Sequence, residues 1–315
     1  MIIRARGERP CAAQTPARSP GPGQLLVRIR AAALNFADLL MAKAEYQETP
    51  PFPFVPGHEG SGEVLAAGEG VSLPVGQRVA ILAPGTMAQA GVFDAASCVP
   101  IPDGMSHETA AGFLIAYGTS HLALTARAGL RAGETLVVLG AAGGVGLTAV
   151  ETGAALGARV IAVARGADRL AAAAKAGASL LIDSDDCPDL RARLRELGGA
   201  DVVYDPVGDA PGLAAFGALH PGGRFLLIGF AGGNPPALPL NHALVKNIAI
   251  HGFYWGGYRQ LDPASLRNDM SQLLALFESG AIKPRPPVVM PLAELSKAYD
   301  LLETRRAVGK LVISI

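Results

Sequence analysis

The stretch Gly140-Ala-Ala-Gly-Gly-Val-Gly146 holds the most specific chemistry in the chain. It follows an apolar run, Thr135–Leu139, and leads into LTAVETGAAL, which reads as a helix. A second apolar run, GARVIAVA, comes next at 157–164. Strand, tight glycine turn, helix and strand form the unit that holds a dinucleotide pyrophosphate against the N–H groups of a helix N-terminus. Ala142, Gly143, Gly144 and Val145 are the turn residues expected to face that ligand. Gly143 and Gly146 are expected to supply the turn and the close helix–strand packing, with Ala141 standing where the fingerprint has its first glycine.

The end of the second strand, Val163-Ala164-Arg165-Gly166, discriminates between cofactors. An Asp or Glu about 20 residues past the glycines would bind the ribose hydroxyls of NAD. None stands there, and Asp168 comes too late for that contact. Arg165 and Arg169 follow instead, and a guanidinium fork matches phosphate oxygens bidentately. The expected cofactor is therefore NADPH.

The elements that position these residues suggest two domains. The chain has 315 residues, long enough for two separate cores, with 50% hydrophobic and 17% charged residues. Its formal net charge of zero and lack of Lys/Arg runs argue against a nucleic-acid or anionic-membrane surface. No apolar stretch approaches the ~20 residues of a membrane span. The opening MIIRARGERP lacks a signal-peptide core. Cys11, Cys98 and Cys187 lie far apart with no CxxC pair, which suits a reducing compartment. A cytoplasmic protein is expected.

Up to about residue 115 the texture is β-rich, with strand-like runs at Leu25–Ala32, Gly60–Ala67 and Gln77–Leu82 and a short helix at Asn35–Ala42. Beyond about 120, strand candidates at Leu136–Leu139, Val160–Val163, Leu180–Ile182, Val202–Tyr204, Arg224–Ile228 and Ile248–Phe253 alternate with Ala-rich helices. Such alternation implies an α/β fold with a parallel, doubly wound sheet. Amphipathic helices near Ser265–Ser279 and Leu292–Leu302 precede a last strand at Lys310–Ile315.

These pieces carry a resemblance. ALNFADLL, PPFPFVPGHEGSGEV, GQRVA, AYGTSHLAL, the glycine turn, DVVYDPVGD, GGRFLLIGF and GKLVISI occur in the order found in the medium-chain dehydrogenase/reductase superfamily. The chain most resembles its zinc-free quinone oxidoreductase (zeta-crystallin-like) branch. The resemblance implies a Rossmann doubly wound parallel sheet inserted in a GroES-like β-rich catalytic domain. The expected boundaries are a GroES-like domain at 1–118, a Rossmann NADPH-binding domain at 119–255, and a segment at 256–315 returning to the first. It also implies a homodimer.

By the same resemblance, Asn35 and Thr119 sit near the nicotinamide ribose and amide, and the turn at Phe230 and Ala231 offers backbone groups to the carboxamide. Phe253, Tyr254 and Trp255 come from a segment the family uses beside the cofactor. Core or dimer-interface packing is their rival role. Arg169 stands where the family has a Lys on the 2′-phosphate, and Ser184 where a Tyr often completes that site. Tyr46 matches a Tyr bordering the substrate site, able to stack on a ring or donate to a carbonyl. Tyr46 and Asn35 are the expected catalytic residues.

Zinc-dependent relatives hold their metal with a Cys, the His of a GHE motif and a further Cys or His. This chain has Gly57-His58-Glu59, but Asn35 replaces the first ligand and the last falls near Ala111. One His cannot supply the three ligands of a catalytic zinc, so no metal is expected. His58 and Glu59 become a hydrogen-bonded remnant. His107, His121, His220, His242 and His251 have no carboxylate partner recognisable in sequence and are expected to be structural.

Without a Lewis acid, the favoured acceptors carry their own electron sink. A small-molecule quinone is the first expectation and an enone or 2-enoyl C=C substrate the second. A non-catalytic NADPH-binding protein is the reading from another class.

Overall fold

The computed structural model describes every residue except Ala17. The described residues form strands β1 (Gln24–Leu34), β2 (Glu59–Ala67), β3 (Arg78–Ile81), β4 (Ala90–Asp94), β5 (Cys98–Pro100), β6 (Thr135–Leu139), β7 (Arg159–Ala164), β8 (Leu180–Asp183), β9 (Ala200–Asp205), β10 (Leu219–Leu227), β11 (Ala249–Gly252), β12 (Val288–Pro291) and β13 (Leu311–Ser314). They fall into two units, Met1–Ile115 with Pro286–Ile315, and Ala116–Arg285.

In the first unit a sheet runs β12-β13-β1-β2-β3-β5, with β4 also on β1. The long β1 serves two partners along one edge. Gln24–Arg28 pairs with β4, and Ala31–Leu34 pairs with β13. Small residues make the middle of β1 closely packable, and Ala31, Ala32 and Ala33 are wholly buried. Gly62 is required where β2 meets β1, because a Cβ there would lie 2.0 Å from the Arg28 carbonyl oxygen. Leu34, Leu39, Met87, Leu295, Tyr299 and Ile313 form a core beside the sheet. Apolar spacing alone did not reveal β4, β5 and β12, which are short and lie in Gly- and Pro-rich sequence.

The second unit contains a six-stranded parallel sheet in the order β11-β10-β9-β6-β7-β8. This is the doubly wound dinucleotide-binding order, with β6 at the centre where the order reverses. Helices cover both faces of such a sheet, so the unbroken apolar run Leu136–Leu139 is buried throughout.

The boundaries differ from those expected. The second unit begins at Ala116 rather than 119, and the return to the first begins at Pro286 rather than 256. Helix Pro263–Glu278 accounts for the later return. Asp262 caps it by accepting the Ser265 N–H, and Leu266, Met270 and Leu273 are buried. Its buried Asp269 is 2.5 Å from Nδ1 of His121. The Lys283 N–H donates to Glu151 at 2.6 Å. No helix among the described residues is long and apolar enough to cross a membrane.

Candidate active site

The glycine turn is built differently from its sequence reading in one respect. Its left-handed residue is Gly140, at φ +57°, whereas Gly143 is an ordinary helix N-cap at φ −75°. The chain leaves β6 directly into the reversal, so the conformational demand falls three residues earlier than expected. The Gly143 N–H closes the turn on the Gly140 carbonyl at 2.9 Å. Gly146 lets helix Gly144–Ala155 approach the strand end, because a Cβ there would stand 2.1 Å from the Gly140 carbonyl oxygen. The first N–H groups of that helix have no intrahelical acceptor. A pyrophosphate fits this cradle by charge and by shape.

A buried set of hydroxyls underpins the turn. Ser120 Oγ lies 2.7 Å from Thr148 Oγ1, 3.2 Å from Tyr204 Oη and 3.1 Å from the Val145 carbonyl. Thr148 donates to the Ala116 carbonyl at 3.0 Å. Burial raises the Tyr204 phenol pKa, keeping it a neutral hydrogen-bonding group. Sequence reading passed over Ser120, Thr148 and Tyr204, because DVVYDP shows only as a strand. They join helix Leu114–Leu122 to the cofactor turn and so set the place of Thr119, which is buried.

Asp205, at the end of β9, is a second missed residue. Its Oδ1 accepts the Val207 and Gly208 N–H groups, each at 2.8 Å. Oδ2 is buried with no hydrogen-bond partner among the described residues, and burial pushes the carboxyl pKa up. The neighbouring loop packs onto this turn. The Ala231 N–H donates to the Pro206 carbonyl at 3.0 Å, so that N–H is already committed. Of the pair Phe230 and Ala231, the Phe230 carbonyl accepts the Gly233 N–H at 2.9 Å, which leaves the Phe230 N–H and the Ala231 carbonyl outside the loop's backbone hydrogen bonds, while the Phe230 side chain is exposed.

At the end of β7, Arg165 is exposed and Arg169 is half-buried on the following helix, Ala167–Lys175. Gly166 between them is left-handed, at φ +78°, and its N–H donates to both carboxylate oxygens of Asp183 at 3.0 Å. Asp183 therefore fixes the turn that presents the arginines. This carboxylate comes from β8 rather than β7. The aromatic triplet splits. Phe253 is buried with its ring 5.6 Å from that of Tyr258, Trp255 is buried against Gly118, and Tyr254 is exposed. Trp255 therefore packs on the helix that carries Thr119.

In the first unit, Asn35 caps helix Phe36–Ala42, and its side chain enters a buried polar cluster. Lys310 Nζ lies 2.6 Å from Glu59 Oε1 and donates to Asn35 Oδ1 at 2.5 Å. Asn35 Nδ2 donates to the same Glu59 oxygen at 3.0 Å, and the Ile115 N–H donates to Glu59 Oε2 at 3.0 Å. His58 Nδ1 stands 3.1 Å from Asp38 Oδ1. Lys310, at the predicted start of the last strand, thus brings an ammonium group to Asn35, which is aligned with the first metal ligand, and to Glu59. Gly112 leaves room for it, since a Cβ there would lie 2.6 Å from Lys310 Cγ. Among the described residues, no three His, Cys, Asp or Glu are grouped to hold a metal ion. Tyr46 is half-buried in the loop after this helix, its carbonyl accepting from Thr49 at 2.8 Å.

The histidines differ from expectation. His121 pairs with Asp269, His220 Nδ1 lies 3.0 Å from Asp201, and His107 Nε2 lies 3.7 Å from Glu63. Each partner is distant in sequence, so spacing alone could not reveal it.

Residues 21–103 match the family model described as alcohol dehydrogenase GroES-like domain, and 144–279 match zinc-binding dehydrogenase. The chain is 34% identical over 303 residues to quinone oxidoreductase-like protein 2 of Mus musculus, covering 95% of this chain and 87% of that one. The fold is similar to the quinone oxidoreductase of Thermus thermophilus, solved with NADPH, at TM-score 0.88 and 30% identity, covering 100% of this chain and 99% of that one. The Escherichia coli quinone oxidoreductase complexed with NADPH gives TM-score 0.87 at 27% identity, covering 96% and 95%.

Proposed function

Because the chain belongs to the medium-chain dehydrogenase/reductase superfamily, in its quinone oxidoreductase-like branch, we propose that it is an NADPH-dependent quinone reductase working without a metal ion. The observation that carries this reading is the Lys310–Glu59–Asn35 cluster. A lysine ammonium bonds Asn35, which stands in place of the first zinc ligand, and Glu59, the neighbour of His58. NADPH, when bound, supplies the hydride.

The chain's own residues then have three tasks. The helix N-terminus at Gly143–Val145 neutralises the pyrophosphate, with Ala142 beside it. Arg165 and Arg169 bind the 2′-phosphate. Thr119, the Ala231 carbonyl, and Phe230 with Phe253, Tyr254 and Trp255 orient the nicotinamide end. We assign Asn35 to the nicotinamide ribose, and Asn35 and Tyr46 to catalysis, with Tyr46 bordering the acceptor. A quinone needs little more, because its reduced oxygen is a stabilised phenolate. Rate then comes from holding the reacting carbons close in a site that excludes water. The homodimer and the cytoplasmic setting belong to the same proposal.

Stopped-flow oxidation of bound NADPH, followed at its nicotinamide absorbance, tests this against 1,4-quinones and 2-enoyl thioesters side by side. Fast turnover with quinones and little with enoyl thioesters is expected. The reverse order would make the protein a C=C reductase. Tight NADPH binding with no acceptor reduced would make it a non-catalytic cofactor-binding protein.

A further inference from the structure

His121, on helix Leu114–Leu122, and Asp269, on helix Pro263–Glu278, form a buried acid–base pair with no part in the cofactor turn. Nδ1 and Oδ1 stand 2.5 Å apart. The indole N–H of Trp255 lies close by. Burial raises the Asp269 pKa, and against that His121 and then the Trp255 N–H lower it. Trp255 Nε1 and Asp269 Oδ2 are nevertheless both buried without a well-formed hydrogen bond.

Stability alone is a poor reason for such a pair. Apolar residues of similar volume often serve a core as well or better, because both charges must leave water. What the pair adds is direction, by tying one helix to another through a single geometry.

Direction matters at Thr119. Successive helix residues point about 100° apart, so Gly118, Ser120 and His121 occupy the sides turned away from it. Each of the three meets a different element. A Cβ on Gly118 would lie 2.5 Å from the Trp255 ring. Ser120 Oγ stands 3.1 Å from the Val145 carbonyl of the cofactor turn. His121 reaches helix Pro263–Glu278 through Asp269. Thr119 itself is untethered, and its hydroxyl bonds no described residue.

We propose that His121 and Asp269 are positioning residues, which with Trp255 alongside fix the rotation of helix Leu114–Leu122 and so hold the Thr119 hydroxyl toward the nicotinamide, an inference that rests on the nicotinamide contact assigned to Thr119. A misplacement of about 1 Å in a reacting group can cost about a hundredfold in rate. The pyrophosphate turn and the two arginines are untouched by such a rotation. Loss of the pair therefore disturbs the nicotinamide rather than the affinity for NADPH.

The fluorescence of bound NADPH, measured on the intact protein without any acceptor, tests this apart from the quinone assignment. His121→Leu/Asp269→Asn removes the pair, buries no lone charge and keeps the shape beside Trp255. Its Kd for NADPH should stay within about threefold of the parent's. The nicotinamide emission of the saturated complex should lose its binding enhancement to the same extent as in Thr119→Val. Adding Thr119→Val to the double variant should change it no further. His121→Asn, whose amide nitrogen falls where Nδ1 stands, should keep the parent's emission. Quinone reduction at saturating NADPH should fall about ten- to a hundredfold in the double variant.

Unchanged emission in the double variant, a loss there that Thr119→Val does not share, or a further loss in the triple variant would overturn the positioning role. An NADPH affinity that falls in step with the emission would do the same. Trp255 is the single tryptophan of the chain, so its own emission reports whether it stays in the core. A red shift in the double variant would trace the effect to a displaced indole and also overturn the role. A parent that reduces no quinone, with the nicotinamide emission behaving as expected, would refute the reductase assignment and leave the role of the pair standing.

Discussion

Lys310 Nζ stands 2.6 Å from Oε1 of Glu59, whose side chain is 1% exposed, and both groups also bond the amide of Asn35. A strand near the C-terminus thus delivers a cation to a carboxylate in the first third of the chain. The pair satisfies a buried charge and fixes which way the Asn35 amide faces.

Removing only the cation should be costly. Lys310→Met leaves the Glu59 carboxylate buried without its partner and is expected to destabilise the protein by about 3–5 kcal/mol in urea unfolding. The double variant Lys310→Met/Glu59→Gln should recover much of that loss. A double variant as unstable as the single one would show that the loss comes from packing rather than pairing.

The glycines of the cofactor turn should rank by their surroundings rather than by their place in the fingerprint. Gly146→Ala forces a Cβ to within 2.1 Å of a backbone oxygen, so NADPH affinity should fall at least about tenfold. Gly143→Ala meets the same oxygen at 3.3 Å with an ordinary φ, and only a few-fold loss is expected. Fluorescence titration of NADPH measures both. Equal losses would contradict the geometry.

Cofactor choice should follow the arginines. Arg165→Ala and Arg169→Ala are each expected to lower kcat/KM for NADPH about ten- to a hundredfold, the worth of a hydrogen bond to a charged group. NADH should be nearly unaffected. Parallel losses with both cofactors would mean that the arginines serve the fold instead.

Asp205 makes a prediction about pH. Burial raises its folded-state pKa above the ordinary 3.8, so the folded state holds this proton more tightly than the unfolded one. Its contribution to stability is full below that ordinary value and is lost as pH rises through the folded pKa. Asp205→Asn keeps an acceptor for Val207 and Gly208 but cannot ionise. Relative to the parent, the variant should therefore gain stability in thermal melts as pH rises above the ordinary 3.8. A difference that stays flat with pH would show that Asp205 has no raised pKa.

Much of the architecture was legible because its signals are local. Thr135–Leu139 is apolar because β6 is covered on both faces, and the spacing of Leu266, Met270 and Leu273 marks one side of a helix. Asn35 at a helix start, and arginines after a strand that lacks a terminal acid, could likewise be read in place. The family's ordered motifs extended this to a two-domain organisation.

Only the tertiary structure decided which distant groups meet. Gly140 rather than Gly143 takes the left-handed position because the chain must turn directly out of β6. Asp183 reaches Gly166 from the neighbouring strand, and Asp269 reaches His121 from a helix that belongs to the second unit rather than the first. Lys310 meets Glu59 and Asn35 because β13 lies against β1. The sequence alone determined the periodicities and the turn chemistry, which depend on a few neighbouring residues. Ion pairs and buried hydrogen bonds depend on strand order and register, and these place side chains together whatever their separation along the chain.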